Sequence, residues 1–358
     1  MFPYITVIAL SIGCDITCHS RISDKIKKCV LIITLGLLAI ISGFRRDVGR
    51  DYGHYINLFS YITNPSIDRT REEISFRLLI KTLNALGLNA RALFLISGLF
   101  LSISLYIFIK NVVAEEYWGF FVFLYICGGS FFSSLNLTRQ YIAFSFLLLS
   151  MTAFYKSKRA VSILLFAVGC TFHKSLLLFL IIIPLYFFIK HHRTLGPIIT
   201  IFIGLVLYFI CFDQLFHMVG QIVPTWSGYA ASSSATERKA ASVIKAVTPA
   251  ILFIYALFQK GGQAYQIHRR DDLLILAGAT AYVACSISFA GIMVLTRVTE
   301  FFAPLFFILT IKTIQREPSN TRTILYYTIY VYYILLTFVT IFIMNGNDVI
   351  PYHASLSL

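Results

Sequence analysis

Roughly twelve apolar runs, each about 16 to 22 residues long and set apart by short polar connections, recur along the chain. Runs of that length suit helices crossing a hydrocarbon core about 30 Å thick. None shows the alternation of an outer-membrane barrel strand. With 58% hydrophobic and only 13% charged residues in 358, the chain is too apolar for an ordinary soluble domain. The expected fold class is all-α: a polytopic integral membrane helical bundle, one transmembrane domain over 1–358 with about 12 spans.

Helices are expected at about 1–18, 29–44, 91–110, 117–134, 135–155, 159–173, 174–190, 196–212, 243–259, 271–290, 298–312 and 323–344. The first run has no basic residues before it and no small-residue cleavage site after it, so it reads as a retained helix. Seven cysteines lie in or beside apolar segments without metal-ligand spacing and read as small buried hydrophobes.

Alternate connections carry basic residues: Arg21 to Lys28, Lys156 to Arg159, Lys190 to Arg193, Lys260 to Arg270 and Lys312 to Arg322. The excess of Lys and Arg in cytoplasmic loops then puts both termini outside. The connection 111–116, with Glu115 and Glu116 beside Lys110, gives no such signal. Two larger outer loops are expected. The first, about 45–90, includes an amphipathic helix at 72–87 with Ile74, Leu78, Leu79, Leu83 and Leu86 on one face and Glu73, Arg77, Lys81 and Asn84 on another. It reads as lying flat in the interface, with Glu73 and Arg77 as an i,i+4 pair. The second, about 213–242, contains Pro224, Trp226, Tyr229 and a serine run, and its length suits a lid or binding loop.

The polar residues that remain gather on the outward side. Arg45, Arg46, Asp47, Arg50 and Asp51 follow the second span; Asn136, Arg139 and Gln140 open the fifth; His173 and Lys174 turn the corner between the sixth and seventh; Arg297 and Glu300 open the eleventh. Basic residues on the side opposite the cytoplasmic loops need a reason other than topology, and charges at membrane depth face a cavity or a partner. Arginine's planar fork suits a diphosphate and stays charged when partly desolvated. Such a cleft stabilises a pyrophosphate leaving group without a metal. The chain has no HExxH, no Cys/His cluster and no DxD pair. No metal site and no cofactor are expected.

The ordered set Arg45-x-x-x-Gly49-x-Asp51-Tyr52-x-x-Tyr55, Asn136-x-x-Arg139-Gln140-x-x-Ala143, Phe172-His173-Lys174-Ser175 and Arg297 resembles the EpsG-type group of Wzy-like polysaccharide polymerases, in order and spacing from about 40 to 310. Arg46 stands where that group often has an aromatic residue, and Arg50 where a small polar one is usual. The resemblance implies a GT-C-like, metal-independent glycosyltransferase of the bacterial inner membrane, building O-antigen of lipopolysaccharide, capsule or exopolysaccharide at the periplasmic face. Its substrate would be an undecaprenyl-pyrophosphate-linked oligosaccharide in membrane lipid, and its partners a chain-length regulator and a flippase.

On this reading an acceptor hydroxyl displaces undecaprenyl pyrophosphate from the anomeric carbon of the growing glycan. Arg139 and Arg297 clamp the diphosphate, with Arg45 as a third contact. Asp51 and His173 are the alternatives for general base. Tyr52 and Tyr55 either face sugars or anchor the interface. Asn136 and Gln140 orient Arg139 or touch phosphate. Arg46, Arg50, Lys174 and Glu300 complete the substrate-binding candidates. The rivals are an O-antigen ligase, which shares the donor, and a lipid-glycan flippase, a transporter of a different class. No nucleic-acid role follows from the +14 net charge, because about half the basic residues are assigned to inner loops and several others to the outer cleft, and no nucleic-acid partner is expected.

Overall fold

A computed structural model of the chain describes residues 1–64, 72–209, 240–259, 270–290 and 293–355. The residues divide into two compact units, Met1–Leu177 together with Tyr326–Leu358, and Leu178–Leu325.

The first unit begins with α1 (Phe2–His19) and α2 (Asp24–Phe44), then a two-residue strand β1 (Arg45–Arg46). Two short helices follow, α3 (Tyr52–Thr63) and α4 (Ile74–Ala85), before the long α5 (Ala90–Val112). Next come α6 (Trp118–Cys127), α7 (Ser130–Ser134), α8 (Thr138–Tyr155) and α9 (Arg159–Phe172). A 3₁₀ stretch, Lys174–Ile181, leads on from α9. The second unit holds α10 (Ile182–His191), α11 (Leu195–Phe209), α12 (Ala240–Phe258), α13 (Arg270–Ser288), α14 (Met293–Thr299) and α15 (Ala303–Arg316). The last helix, α16 (Ser319–Thr337), returns to the first unit at Tyr326 and continues as a π turn, Phe338–Ile343. Strand β2 (His353–Ala354) pairs antiparallel with β1, Arg45 opposite Ala354 and Arg46 opposite His353.

Among the described residues, six helices are long and apolar enough to cross a membrane, and three shorter apolar helices, Arg159–Phe172, Leu195–Tyr208 and Ala246–Phe258, accompany them. This is an all-α membrane protein. Several expected spans are not continuous helices. The run expected at 117–134 breaks between α6 and α7, where Gly129 adopts φ +97°. The run expected at 298–312 breaks after Thr299, so Arg297 lies in the last turn of α14 and Glu300 in the connection to α15, not together at the start of one helix. The outer loop expected at 213–242 lies outside the described residues up to 239, and Ala240 already belongs to α12.

In the first unit α1 packs on α2 and α6, α2 on α5, α5 on α8, and α8 on α9. Every residue of α6 is buried, as its uniformly apolar sequence requires. Its Phe120 stacks on Tyr326 at 4.8 Å, and Phe123 lies 4.1 Å from the Tyr330 ring. Those two tyrosines donate their hydroxyls to Asp15 Oδ2 on α1, and His19 Nδ1 lies 3.5 Å from Asp15 Oδ1. A carboxylate buried in an apolar helix must be hydrogen-bonded, and the tyrosines supply that. Lys27 Nζ and Glu115 Oε1, 3.0 Å apart, place the connection 111–116 at the same end of the unit as residues 20–28.

At the other end, α3 and α4 pack with α5 and α8 around Tyr52, Tyr55, Phe59, Phe76, Ile80 and Phe94. Fully burying a side chain such as Phe76 or Ile80 contributes on the order of 1.5–3 kcal/mol. The face of α4 turned inward is Phe76, Ile80 and Leu83, whereas Ile74, Leu78 and Leu86 are exposed. Three cysteines, Cys14, Cys18 and Cys127, are buried as expected, but Cys29 is exposed on α2. In the second unit α13 is the central helix, in contact with α10, α11, α12, α14 and α15. There Lys312 pairs with Asp272, and Glu317 accepts from Tyr255 and Gln259, each at 2.6 Å.

Candidate active site

The charged turn after α2 is built from both ends of the chain. Gly49 N donates to Asp348 O at 2.9 Å, Arg50 N to Asn347 O at 3.2 Å, and Arg50 Nε to Asp348 Oδ2 at 3.0 Å. Asn345, Asn347 and Asp348 have positive φ, a conformation Asn and Asp tolerate, and they fold residues 345–348 back onto the turn. The tail is tied down further by Tyr4 Oη donating to Val349 O at 2.9 Å and Tyr352 Oη to Ile41 O at 3.0 Å. Gly49 has φ +94°, and a Cβ there would meet Asn136 Oδ1 at 2.6 Å and Leu135 O at 2.8 Å. Asn136 itself is buried and donates from Nδ2 to Asn347 O at 3.0 Å. Arg46, Asp47 and Arg50 are exposed, with Arg46 Nε 3.5 Å from Asp47 Oδ2. Asp51 is half-buried at the N-cap of α3 and makes no side-chain capping hydrogen bond.

Arg45 points inward. It is 1% exposed, and its guanidinium donates to Ser42 Oγ at 3.0 Å and Thr138 Oγ1 at 3.1 Å while lying 4.1 Å over the Phe94 ring. It also donates to Ser42 O in the last turn of α2, where the helix dipole favours a cation. Among the described residues no carboxylate lies within ion-pair distance of it. Burial pushes the guanidinium down to about 10, still protonated at neutral pH. Arg45 therefore joins the end of α2 to the start of α8.

The next residue of α8, Arg139, faces α4 and α9. Its Nη1 pairs with Glu72 and lies 2.9 Å from Glu73 Oε2, and its guanidinium sits 5.7 Å from the Phe76 ring centre. Its backbone N–H donates to Tyr55 Oη at 3.2 Å. Glu73, the N-cap residue of α4, turns its other oxygen to α9: Oε1 is 3.7 Å from His173 Nδ1 and accepts from the Lys174 N–H at 3.3 Å. Beside it, Ser75 Oγ and Thr171 Oγ1 share a 2.7 Å hydrogen bond. Glu72 and Glu73 sit at the positive end of the α4 dipole, which favours two acids there. Three helices thus converge on one guanidinium, two carboxylates and one imidazole. The cation the carboxylates hold is the guanidinium; among the described residues no three His, Cys, Asp or Glu side chains are placed to hold a metal ion.

Asn136, Arg139, His173 and Lys174 are brought together at this end of the first unit, with Tyr55 and Arg45 beneath them. Tyr52 and Tyr55 are buried, Tyr52 stacked on Phe94 at 5.0 Å. Gln140 is buried, and Lys174 is exposed. Arg297 and Glu300 are half-buried and belong to the second unit. Glu72 and the 345–348 turn were not among the sequence candidates. Beyond the i,i+4 spacing to Arg77 that the sequence shows, Glu73 reaches Arg139 and His173. The signals were present: two acids just ahead of a helical pattern, and an Asn-Gly-Asn-Asp run after the last apolar stretch.

These features define a polytopic all-α membrane protein with a cluster of ionisable side chains at one end of a helical unit. The EpsG family model matches residues 28–354, nearly the whole chain, and the chain belongs to the EpsG family. That is a family of polysaccharide-polymerase-like, glycosyltransferase-type membrane proteins. No curated protein matches the chain, and no solved structure matches it.

Proposed function

We propose that this protein is an oligosaccharide repeat-unit polymerase of the bacterial inner membrane, transferring a growing glycan from undecaprenyl pyrophosphate to a lipid-linked repeat unit at the periplasmic face. The supporting observation is the convergence of Arg139, Glu72, Glu73 and His173 from α8, α4 and α9, in a member of the EpsG family. The reaction needs a stabiliser for a departing diphosphate and an acceptor for one proton. The cluster holds one group for each task. Arg139 lies in the first turn of α8, where the helix N-terminus also favours an anion. Two carboxylates hold its guanidinium, and a diphosphate takes the place of one of them. The acceptor hydroxyl loses its proton to His173 or Asp51 as its oxygen bonds to the anomeric carbon. The bond from that carbon to the diphosphate breaks, and its electron pair leaves on the diphosphate oxygen.

The test is the surface-glycan ladder in cells lacking the gene, complemented with wild type, Arg139→Ala or His173→Ala at matched protein levels. The expected result is loss of the ladder with single repeat units still delivered to the surface. Full ladders from both variants would sink the site. Loss of all surface glycan, single units included, would point to a ligase or a flippase.

A further inference from the structure

We infer that Glu73 is a positioning residue that sets both working groups of the site, and that His173, not Asp51, takes the acceptor proton. The inference rests on the polymerase reading above and deepens it.

The two oxygens of Glu73 divide their partners. Oε2 lies 2.9 Å from Arg139 Nη1, and Oε1 lies 3.7 Å from His173 Nδ1 while accepting the Lys174 N–H at 3.3 Å. The three side chains are 12%, 23% and 20% exposed, sheltered enough for their charges to matter and open enough to meet a substrate. Each comes from a different helix end, so the spacing is fixed by tertiary packing and not by one flexible loop.

A carboxylate on the Nδ1 side favours the tautomer with its proton there, leaving the Nε2 lone pair to accept a proton. It also stabilises the imidazolium that proton transfer creates, as an orienting acid does in a nucleophile–histidine–acid triad. In the proposed step the acceptor hydroxyl proton goes to His173 Nε2, the hydroxyl oxygen bonds to the anomeric carbon, and the bond to the diphosphate breaks with its electron pair on the leaving oxygen. The imidazolium then returns its proton to water. Because Arg139 shares the same carboxylate, proton removal and leaving-group stabilisation are held in one frame.

The charged groups of the cluster around His173 are Glu72 and Glu73 at the start of α4, Arg139 from α8, and Lys174 beside it in sequence. Removing the Glu73 charge takes away an anion 3.7 Å from the ring, so the imidazole holds its proton less tightly and the acid limb of the rate profile moves to lower pH.

The test measures glycan extension on a lipid-diphosphate-linked repeat unit in proteoliposomes across pH, for wild type, Glu73→Gln, Glu73→Asp and Asp51→Asn. Glu73→Gln is expected to lower kcat by about 100-fold with KM changed only a few-fold, and to shift the acid limb downward. Glu73→Asp should recover part of the rate, and Asp51→Asn should leave the acid limb in place. If Glu73→Gln does not accumulate in membranes, Glu73→Asp carries the test through its own kcat loss and shifted limb. A wild-type rate and profile in the Glu73 variant that accumulates overturns the inference alone, as does an acid limb that moves in Asp51→Asn and not in the Glu73 variants. A wild-type protein that neither extends glycan nor releases lipid diphosphate overturns the polymerase reading and this inference together.

Discussion

Arg50 Nε donates to Asp348 Oδ2 at 3.0 Å, closing the charged turn after α2 with a residue from far along the chain. Both side chains are about half exposed, so solvent screens the pair and it contributes on the order of 0–1 kcal/mol. The backbone bonds from Gly49 and Arg50 to the 347–348 carbonyls do more. Asp348→Asn is expected to leave the thermal midpoint in detergent within a few degrees of wild type. Truncation after Met344, which removes those carbonyls and β2, should lower the midpoint clearly and shorten the glycan ladder.

Gly49→Ala is expected to destabilise the protein by roughly 1–3 kcal/mol, because its φ of +94° is strained for alanine and its Cβ would press on Asn136 Oδ1 and Leu135 O. Adding Asn136→Ala should not restore stability, since the Leu135 carbonyl remains. Thermal unfolding of the single and double variants decides it; full recovery in the double variant would show that the side-chain contact alone mattered.

Arg45 is a buried cation with no carboxylate in ion-pair range among the described residues, so removing its charge leaves no opposite charge stranded. Arg45→Met is expected to be less destabilising than Arg45→Lys by about 1–2 kcal/mol, because a buried ammonium keeps the desolvation cost and loses the planar fork that reaches Ser42 and Thr138. Comparing the two unfolding midpoints tests this ordering.

Glu72 competes with the diphosphate for Arg139 in the proposed reaction. Glu72→Gln should therefore tighten donor binding by about 3- to 10-fold, on the order of 1 kcal/mol. A donor KM that rises on this substitution would contradict the exchange of carboxylate for diphosphate.

Asp15 tests the opposite end of α1. Asp15→Ala strands the Tyr326 and Tyr330 hydroxyls in an apolar interface and should cost about 1–3 kcal/mol for each. Asp15→Asn keeps an acceptor and should cost less. At matched protein levels neither variant should change glycan length, which a chain-length assay would read.

The long apolar helices α1, α2 and α5 were legible within a few residues, because a membrane span is marked by its own composition. The face of α4 was not. Hydropathy separates apolar from polar residues but does not distinguish a side chain packed on protein from one left on the surface, so the sequence groups Ile74 and Leu78 with Leu79 and Leu83 although only the latter two pack on the buried cluster. Helix α3 is hidden although Tyr52, Tyr55, Phe59 and Ile62 repeat at helical spacing, because tyrosines beside an arginine turn equally suit sugar ligands or interfacial anchors.

Arg139 and His173 were legible as polar residues at helix ends. Their shared carboxylate was not, since Glu73 lies far from both in sequence and has a plausible local partner in Arg77. The inward turn of Arg45 was equally hidden, because a guanidinium beside a helix end reads the same whether it faces a ligand or the Ser42 and Phe94 side chains.

The bracing of residues 45–50 by 345–355 sets an order of biogenesis. The arginine turn emerges from the ribosome early, yet its backbone donors find their carbonyls only after α16 has been synthesised. A translation product that stops short of Asn345 carries Arg45, Arg46 and Arg50 but lacks the segment that braces their turn. The arginine turn is thus closed by backbone groups that join it only when the last of the first unit's helices has been made.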